Sequence, residues 1–285
     1  MRHVLITGTS TGIGYKLTED LLKEDFVVWA GLRSPQALES LAQKYPQKLH
    51  VLKLDVTSSQ DIAEAYSKIS VDPTLKEFYL VNNAGIAIGG PIEALPISEW
   101  KKLFDTNVFG LIEMTKTFLP LLRRTQGRVV NIGSISGRVA PSFVAPYSAS
   151  KFAVRAFSDS LRREMIDQGV KVILIEPGPI KTPIWDKSIS RSQQLEKELT
   201  PEMKQVYGKT LIGMQASVEM TAASAVPVDH VTRKILKALN SPNPCAYYLI
   251  GKGIRLTAFF VKHLPTKTLD RLISRGFRFQ KAPRQ

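Results

Sequence analysis

The strongest constraint on the fold is an alternation. Seven short runs rich in β-branched and apolar residues, at 3–7, 26–32, 49–55, 78–82, 128–133, 170–176 and 246–250, are separated by helix-length stretches. Helical patterns fall near 13–24, 35–44, 59–69, 97–123, 148–166 and 228–239. Parallel neighbours need crossovers of this length, whereas antiparallel hairpins need only tight turns. The alternation therefore predicts an α/β fold: a doubly wound, seven-stranded parallel sheet with helices on both faces. One domain is expected over 1–250. Residues 183–226, rich in Lys, Glu, Gln, Met and small residues and without a strand pattern, read as a helical insertion beside a ligand.

Composition narrows the classes. The chain has 285 residues, 44% of them hydrophobic, enough for one sizeable core. Its apolar runs, such as LTAFFV at 256–261, fall far short of the roughly 20 residues that span a bilayer. The opening VLIT passes straight into glycines with no cleavage pattern, so it reads as a strand and not as a signal peptide. Cys245 is the single cysteine, which rules out an intrachain disulfide and argues against a Cys-based metal site; we expect no metal and a reducing, cytoplasmic setting.

Net charge is +14, and the extension 251–285 carries nine basic residues against one acid, Asp270. Such a tail serves either as a solvated face or as a surface for an anionic membrane, an acidic partner or nucleic acid. Phe259, Phe260, Leu264, Leu269, Leu272, Ile273, Phe277 and Phe279 are interleaved with its charges. That amphipathic pattern favours packing or peripheral membrane contact, with no nucleic-acid partner expected.

The first predicted strand ends in TGTSTGIG, a glycine-rich turn leading into a helix. Gly8, Gly12 and Gly14 let the backbone turn tightly and approach a pyrophosphate, and the helix N-terminus that follows offers free N–H groups. The spacing is G-x-x-x-G-x-G, neither the commonest dinucleotide fingerprint nor a P-loop, since Tyr15 and Lys16 follow where a P-loop needs Lys and a hydroxyl residue. At the end of the second predicted strand a site that prefers NAD places a carboxylate on the ribose hydroxyls. This chain has Leu32, Arg33 and Ser34 there. Arg33 is either a solvated surface arginine or the partner of a 2′-phosphate, which predicts NADP(H) over NAD(H).

YSASK at 147–151 sets Tyr147 and Lys151 four residues apart on one helix face. A phenol is a poor base near neutrality, and a neighbouring ammonium favours its phenolate. Ser134 follows the strand RVVNI, where a parallel sheet opens its binding crevice. Asn107 shares the apolar side of its helix with Phe104 and Leu111. It is either a structural amide on local backbone or the holder of a water leading from the lysine to solvent.

TGTSTGIG at 7–14, NNAG at 82–85, Asn107, Ser134, YSASK and PGPIKT at 177–182 together resemble the short-chain dehydrogenase/reductase family, in matching order over about residues 1–250. FVVWAGLRSP, NNAGIAIGGPIEALP and SASKFAV look closest to its 17β-hydroxysteroid and retinol dehydrogenase branch. The resemblance implies a Rossmann fold and a homodimer built on the helices near 97–123 and 148–166. It implies Tyr147 as general acid or base, Ser134 on the reacting oxygen, Lys151 on the nicotinamide ribose and Asn107 completing a proton relay. Cofactor contacts carry over to Gly8, Thr9, Ser10, Thr11, Gly12, Ile13 and Gly14 at the pyrophosphate, with Leu32, Arg33, Asp55 and Val56 toward the adenosine. Asn82, Asn83, Ala84 and Gly85 follow on the ribose side, and Pro177, Gly178, Ile180 and Thr182 beside the carboxamide. Thr11 stands where many relatives have Ser.

Expected substrate contacts are Ser134, Ile135, Val139, Phe143, Val144, Tyr147 and Trp185, with Ile88, Ile184 and Met214 as further candidates for the wall. Nearly all are apolar, and none is an arginine for a carboxylate, so a lipophilic steroid-, retinoid- or lipid-like alcohol or carbonyl is expected. Small or acyl carbonyls, an epimerase or dehydratase that keeps its nicotinamide bound, and an NADP-sensing protein stay open.

Overall fold

In a computed structural model, residues 1–278 are described except 185–189, 191–192 and 195–196. Seven parallel strands form one sheet in the order β3-β2-β1-β4-β5-β6-β7. They are β1 (Arg2–Thr7), β2 (Phe26–Leu32), β3 (Leu49–Lys53), β4 (Glu77–Asn82), β5 (Arg128–Ile132), β6 (Lys171–Pro177) and β7 (Tyr247–Ile250). The helices up to the last strand are α1 (Gly12–Leu22), α2 (Glu39–Lys44), α3 (Ser59–Ser70), α4 (Ile97–Phe104), α5 (Gly110–Arg124), α6 (Ala145–Glu164), α7 (Pro201–Ser224) and α8 (Asp229–Asn240). Two more, α9 (Ile254–His263) and α10 (Thr266–Arg278), follow the last strand.

The central strands are apolar on both faces because both are covered. Val4 and Ile6 of β1 share a core with Leu17 and Leu21 of α1 and Ile235 and Leu239 of α8. Leu5, pointing the other way, joins Ile62 and Ile69 of α3 and Phe118 of α5. Each fully buried side chain of this size contributes roughly 1.5–3 kcal/mol. Phe118 is the hub of its layer, stacked on Phe78 at 5.3 Å and edge-on to Tyr66 at 5.4 Å.

The chain runs outward from β1 to β3, then returns to place β4 on the other side of β1. The connections leaving β1 and β4 run to opposite sides of the sheet there, and the carboxyl ends of these two strands border a crevice. The first candidate residues lie on this rim. On the opposite, amino-end rim, Trp29 donates its indole N–H to Nδ1 of the buried His3 and stacks on His50. Cys245, exposed, enters β7 from that same rim.

One expectation needs correction. The stretch 97–123 is not one helix: Asp105–Phe109 forms a π turn between α4 and α5. The extra residue carries Asn107 and Val108 inward while Phe109 stays exposed. The extension is two helices, because Pro265 lacks an N–H and follows the extended Leu264 where α9 stops.

Candidate active site

The glycine turn is built by backbone bonds that only bare positions allow. Gly8 N–H and Thr9 N–H both donate to the Gly31 carbonyl at 2.8 and 3.2 Å, folding the chain back over β2. Gly8 and Gly12 adopt φ of +71° and +62°, which side-chain-bearing residues avoid. A Cβ on Gly8 would stand 2.8 Å from the Ala84 Cα, and one on Gly14 would strike the Gly8 carbonyl and Asn83. Thr7 and Asn83 lock the arrangement. Asn83 Nδ2 donates to the carbonyls of Thr7 and Gly8 at 2.8 and 2.9 Å, and Thr7 Oγ1 accepts from the N–H groups of Asn83 and Ala84.

Thr11 caps α1 without a side-chain bond, and the first turn holds no acid. Its N–H groups are thus presented to an anion beside a backbone with no side-chain cover. Lys16 is turned elsewhere, onto Asp20 at 2.5 Å and Asp229 at 3.5 Å. Across the crevice, a Cβ on Gly12 would meet Thr182 at 3.3 Å, so the segment after β6 borders the glycine turn. That segment is held by Gly178 N–H on the Ile250 carbonyl and by an Ile180–Val226 bridge. The bare turn, the free helix end and this second wall fit a dinucleotide.

Leu32 is buried and Arg33 exposed. Asp55 accepts from Thr57 N–H and Oγ1 through Oδ1, and Val56 is buried against Gly110. Asn82 departs from expectation. Its side chain turns into the sheet, donating to Thr115 Oγ1 at 3.0 Å and Asn131 Oδ1 at 2.9 Å, with Oδ1 buried and unpartnered. Strand parity at the end of β4 aims it toward α5, leaving its main chain alone toward the crevice.

Tyr147 and Lys151 occupy the first turns of α6, and Ser134 stands just past β5. The three meet at the rim. Burial pushes the Tyr147 phenol up, opposed by its hydrogen bond with the Ser134 hydroxyl. Ser134 Oγ also accepts the Ser136 N–H at 3.1 Å. Lys151, 7% exposed, donates to the Ile132 carbonyl at 2.8 Å with its ammonium 5.7 Å from the Tyr147 ring centre. Burial lowers its pKa to about 8. The sequence led to the expectation that the lysine ammonium and a bound nicotinamide ring together lower the phenol. Desolvation of both groups sets the two shifts, raising the phenol and lowering the ammonium.

Asn107 sits in the π turn with its amide engaged: Oδ1 accepts Ile86 N–H at 2.8 Å, and Nδ2 donates to the Ile86 carbonyl and Ser150 Oγ. It ties the loop after β4, beside Gly85, to α6. The apolar candidates Ile135, Val139, Phe143 and Val144 are half-buried between Ser134 and Tyr147. Phe143 holds a left-handed φ of +67° while its carbonyl accepts Gly90 N–H. Such local strain persists only where the surroundings impose it. Ile88 belongs to a small core with Leu95 and Leu103. Trp185 and the side chain of Met214 lie outside what the structure describes.

One feature was missed from sequence. Glu176, without solvent exposure, accepts Arg138 Nε at 2.8 Å and Nη2 at 2.5 Å, and Arg155 Nη1 at 3.3 Å. Arg138 follows the Ser134 turn and Glu176 precedes Pro177, so the ion pair joins two walls of the crevice. An acid inside the apolar run VILIEP was the available signal.

The profile of the short chain dehydrogenase family matches residues 2–193. Estradiol 17-beta-dehydrogenase 2 of Mus musculus is 35% identical over 99% of this chain and 77% of its own length. The NADPH-dependent 3-dehydrocapnine reductase of Ornithobacterium rhinotracheale is 33% identical over 95% and 96%. In fold, a short chain dehydrogenase/reductase from Burkholderia phymatum, solved in complex with NAD, covers 100% of this chain and 96% of its own, with a TM-score of 0.76 at 20% identity. By profile and relatives, with the sheet topology in agreement, the chain belongs to the short-chain dehydrogenase/reductase family, oxidoreductases acting on CH–OH groups.

Proposed function

We propose that this chain is an NADP(H)-dependent oxidoreductase interconverting an apolar, lipid-like alcohol and its ketone or aldehyde, with Tyr147 moving the proton. The observation that carries the reading is the meeting of Tyr147, Ser134 and Lys151 on the rim beside the bare glycine turn. When bound, the nicotinamide gives or takes the hydride.

Tyr147, its phenol kept protonated by burial, is suited to donate to a carbonyl oxygen as that oxygen gains charge. Ser134, already paired with that phenol, donates to the same oxygen. Lys151 spends one hydrogen on the Ile132 carbonyl and keeps two for ribose hydroxyls. Its charge beside the ring favours phenolate, the form that accepts a proton in alcohol oxidation. The half-buried Ile135, Val139, Phe143 and Val144 give the crevice an apolar wall, in keeping with a relative named for estradiol.

NADP(H) is favoured by Arg33, exposed at the end of β2 where no carboxylate opposes a phosphate, and by an NADPH-dependent relative. Tyr147→Phe should abolish turnover of steroid and retinoid carbonyls while nucleotide binding, followed by tryptophan fluorescence, stays nearly intact; full turnover would sink the assignment. Arg33→Ala should weaken NADP(H) at least about tenfold and NAD(H) little. Equal weakening of both would remove Arg33 from the phosphate. The same reading includes a cytoplasmic homodimer through α5 and α6, with Phe109 exposed in the π turn just before α5 and Phe152 exposed on α6.

A further inference from the structure

Helix α9 has two apolar faces. Ile254 and Ala258, four residues apart, are buried inward, with Ile254 packed against Gly178 behind the segment after β6. Leu256, Phe259, Phe260 and His263 recur at i, i+3, i+4 and i+7, so they share the opposite face. That face is outward: Leu256 is 57%, Phe259 54% and Phe260 39% exposed. The rings of Phe259 and Phe260 stand 6.0 Å apart edge to face, and His263 lies against Phe259. A surface helix of a monomer rarely lifts two phenylalanines and a leucine into water as one ridge.

The charges around the ridge have one sign. Arg255 and Lys262, both exposed, lie seven residues apart along one flank, and Lys252 stands just before the helix. Beyond Pro265, α10 adds exposed Lys267 and Arg271 and the half-exposed Leu272. Asp270 is the one acid in the whole extension. No helix among the described residues is long and apolar enough to cross a membrane. Apolar side chains flanked by lysine and arginine on a short helix suit the boundary between headgroups and acyl chains, where rings enter and cations meet anionic phosphates.

We propose that α9, with the start of α10, docks this protein on an anionic lipid surface through Leu256, Phe259 and Phe260, held by Lys252, Arg255, Lys262, Lys267 and Arg271. The inner side of the docked helix backs the crevice through Ile254 and Gly178, and α10 touches the insertion helix α7. The docked face is therefore joined by direct packing to the crevice. Delivery of a lipophilic substrate from the membrane rests on the proposed function; docking itself does not.

The test uses the full chain and phosphatidylcholine vesicles with and without phosphatidylglycerol, read by co-sedimentation and by analytical ultracentrifugation without lipid. Docking requires binding to the anionic vesicles that weakens as salt rises, with little binding to the neutral ones. Phe259→Ser with Phe260→Ser should weaken it at least about tenfold. Lys252→Glu, Arg255→Glu and Lys262→Glu together should do the same while leaving the melting temperature near wild type. These variants touch no residue of the crevice chemistry, so carbonyl reduction in solution reports separately on that reading. The proposal is overturned by wild-type protein that ignores anionic vesicles, or by binding indifferent to salt and to both sets of changes. A lipid-free self-association abolished by the phenylalanine changes would also overturn it, because the ridge would then be an interface between copies.

Discussion

Removing the guanidinium of Arg138 tests how the two walls of the crevice are joined. Glu176 has no solvent exposure, while the Arg138 and Arg155 side chains keep 19% and 29%. The partners are therefore unequal. In Glu176→Gln the arginines rehydrate through their exposed edges, and the loss is that of hydrogen bonds, about 1–2 kcal/mol. In Arg138→Ala the buried carboxylate loses both bonds to Arg138 and keeps the 3.3 Å contact with Arg155. Stranding a buried charge costs about 3–5 kcal/mol, and the remaining arginine holds the figure near 3. For a chain of this size that lowers the melting temperature by about 6–12 °C. Urea unfolding of the two single variants and of Arg138→Met with Glu176→Leu measures the asymmetry, and the apolar pair should recover most of the loss. Equal losses for the single variants, or a double variant no better than Arg138→Ala, would refute the reasoning. Arg138→Lys, which keeps charge but not the fork, should lower kcat more than it raises KM if the pair positions Ser134.

Lys151 predicts a pH dependence. Its folded pKa of about 8 lies below the unfolded 10.5, so the unfolded chain binds more protons between those values and the ligand-free protein gains stability as pH rises through them. The gain is about 3 kcal/mol, and Lys151→Met should remove it; a wild-type curve that parallels the variant's would contradict the buried ammonium. Phe152→Asp, on the outer face of α6, should convert the proposed dimer to monomer in sedimentation while Tyr147 chemistry persists per chain; an unchanged sedimentation coefficient would count against α6 as the interface.

The strands were legible because burial on both faces leaves an unbroken apolar run, and Tyr147 with Lys151 because a helix fixes what four residues of spacing mean. The glycine turn was legible for a similar reason: bare backbone at a strand–helix junction has few uses. What stayed hidden depends on neighbours far along the chain. Asn82 reads alike whether it faces the crevice or Thr115, since one step of parity decides it. Arg138 and Glu176 lie 38 residues apart and meet only once β5 and β6 pair. The π turn was invisible because an apolar stripe tolerates one extra residue. The direction of the Tyr147 shift needed the depth at which the phenol lies, which no spacing states.

All seven strands point one way, so the sheet has a working edge and an idle one. Cys245 is the single thiol of the chain, and it is exposed on the idle edge. A dye or a sensor-chip linker attached there reaches one known position without mutagenesis. The immobilised protein would present its crevice outward, with each molecule tethered the same way, so nucleotide and vesicle binding could be timed on one uniformly oriented layer.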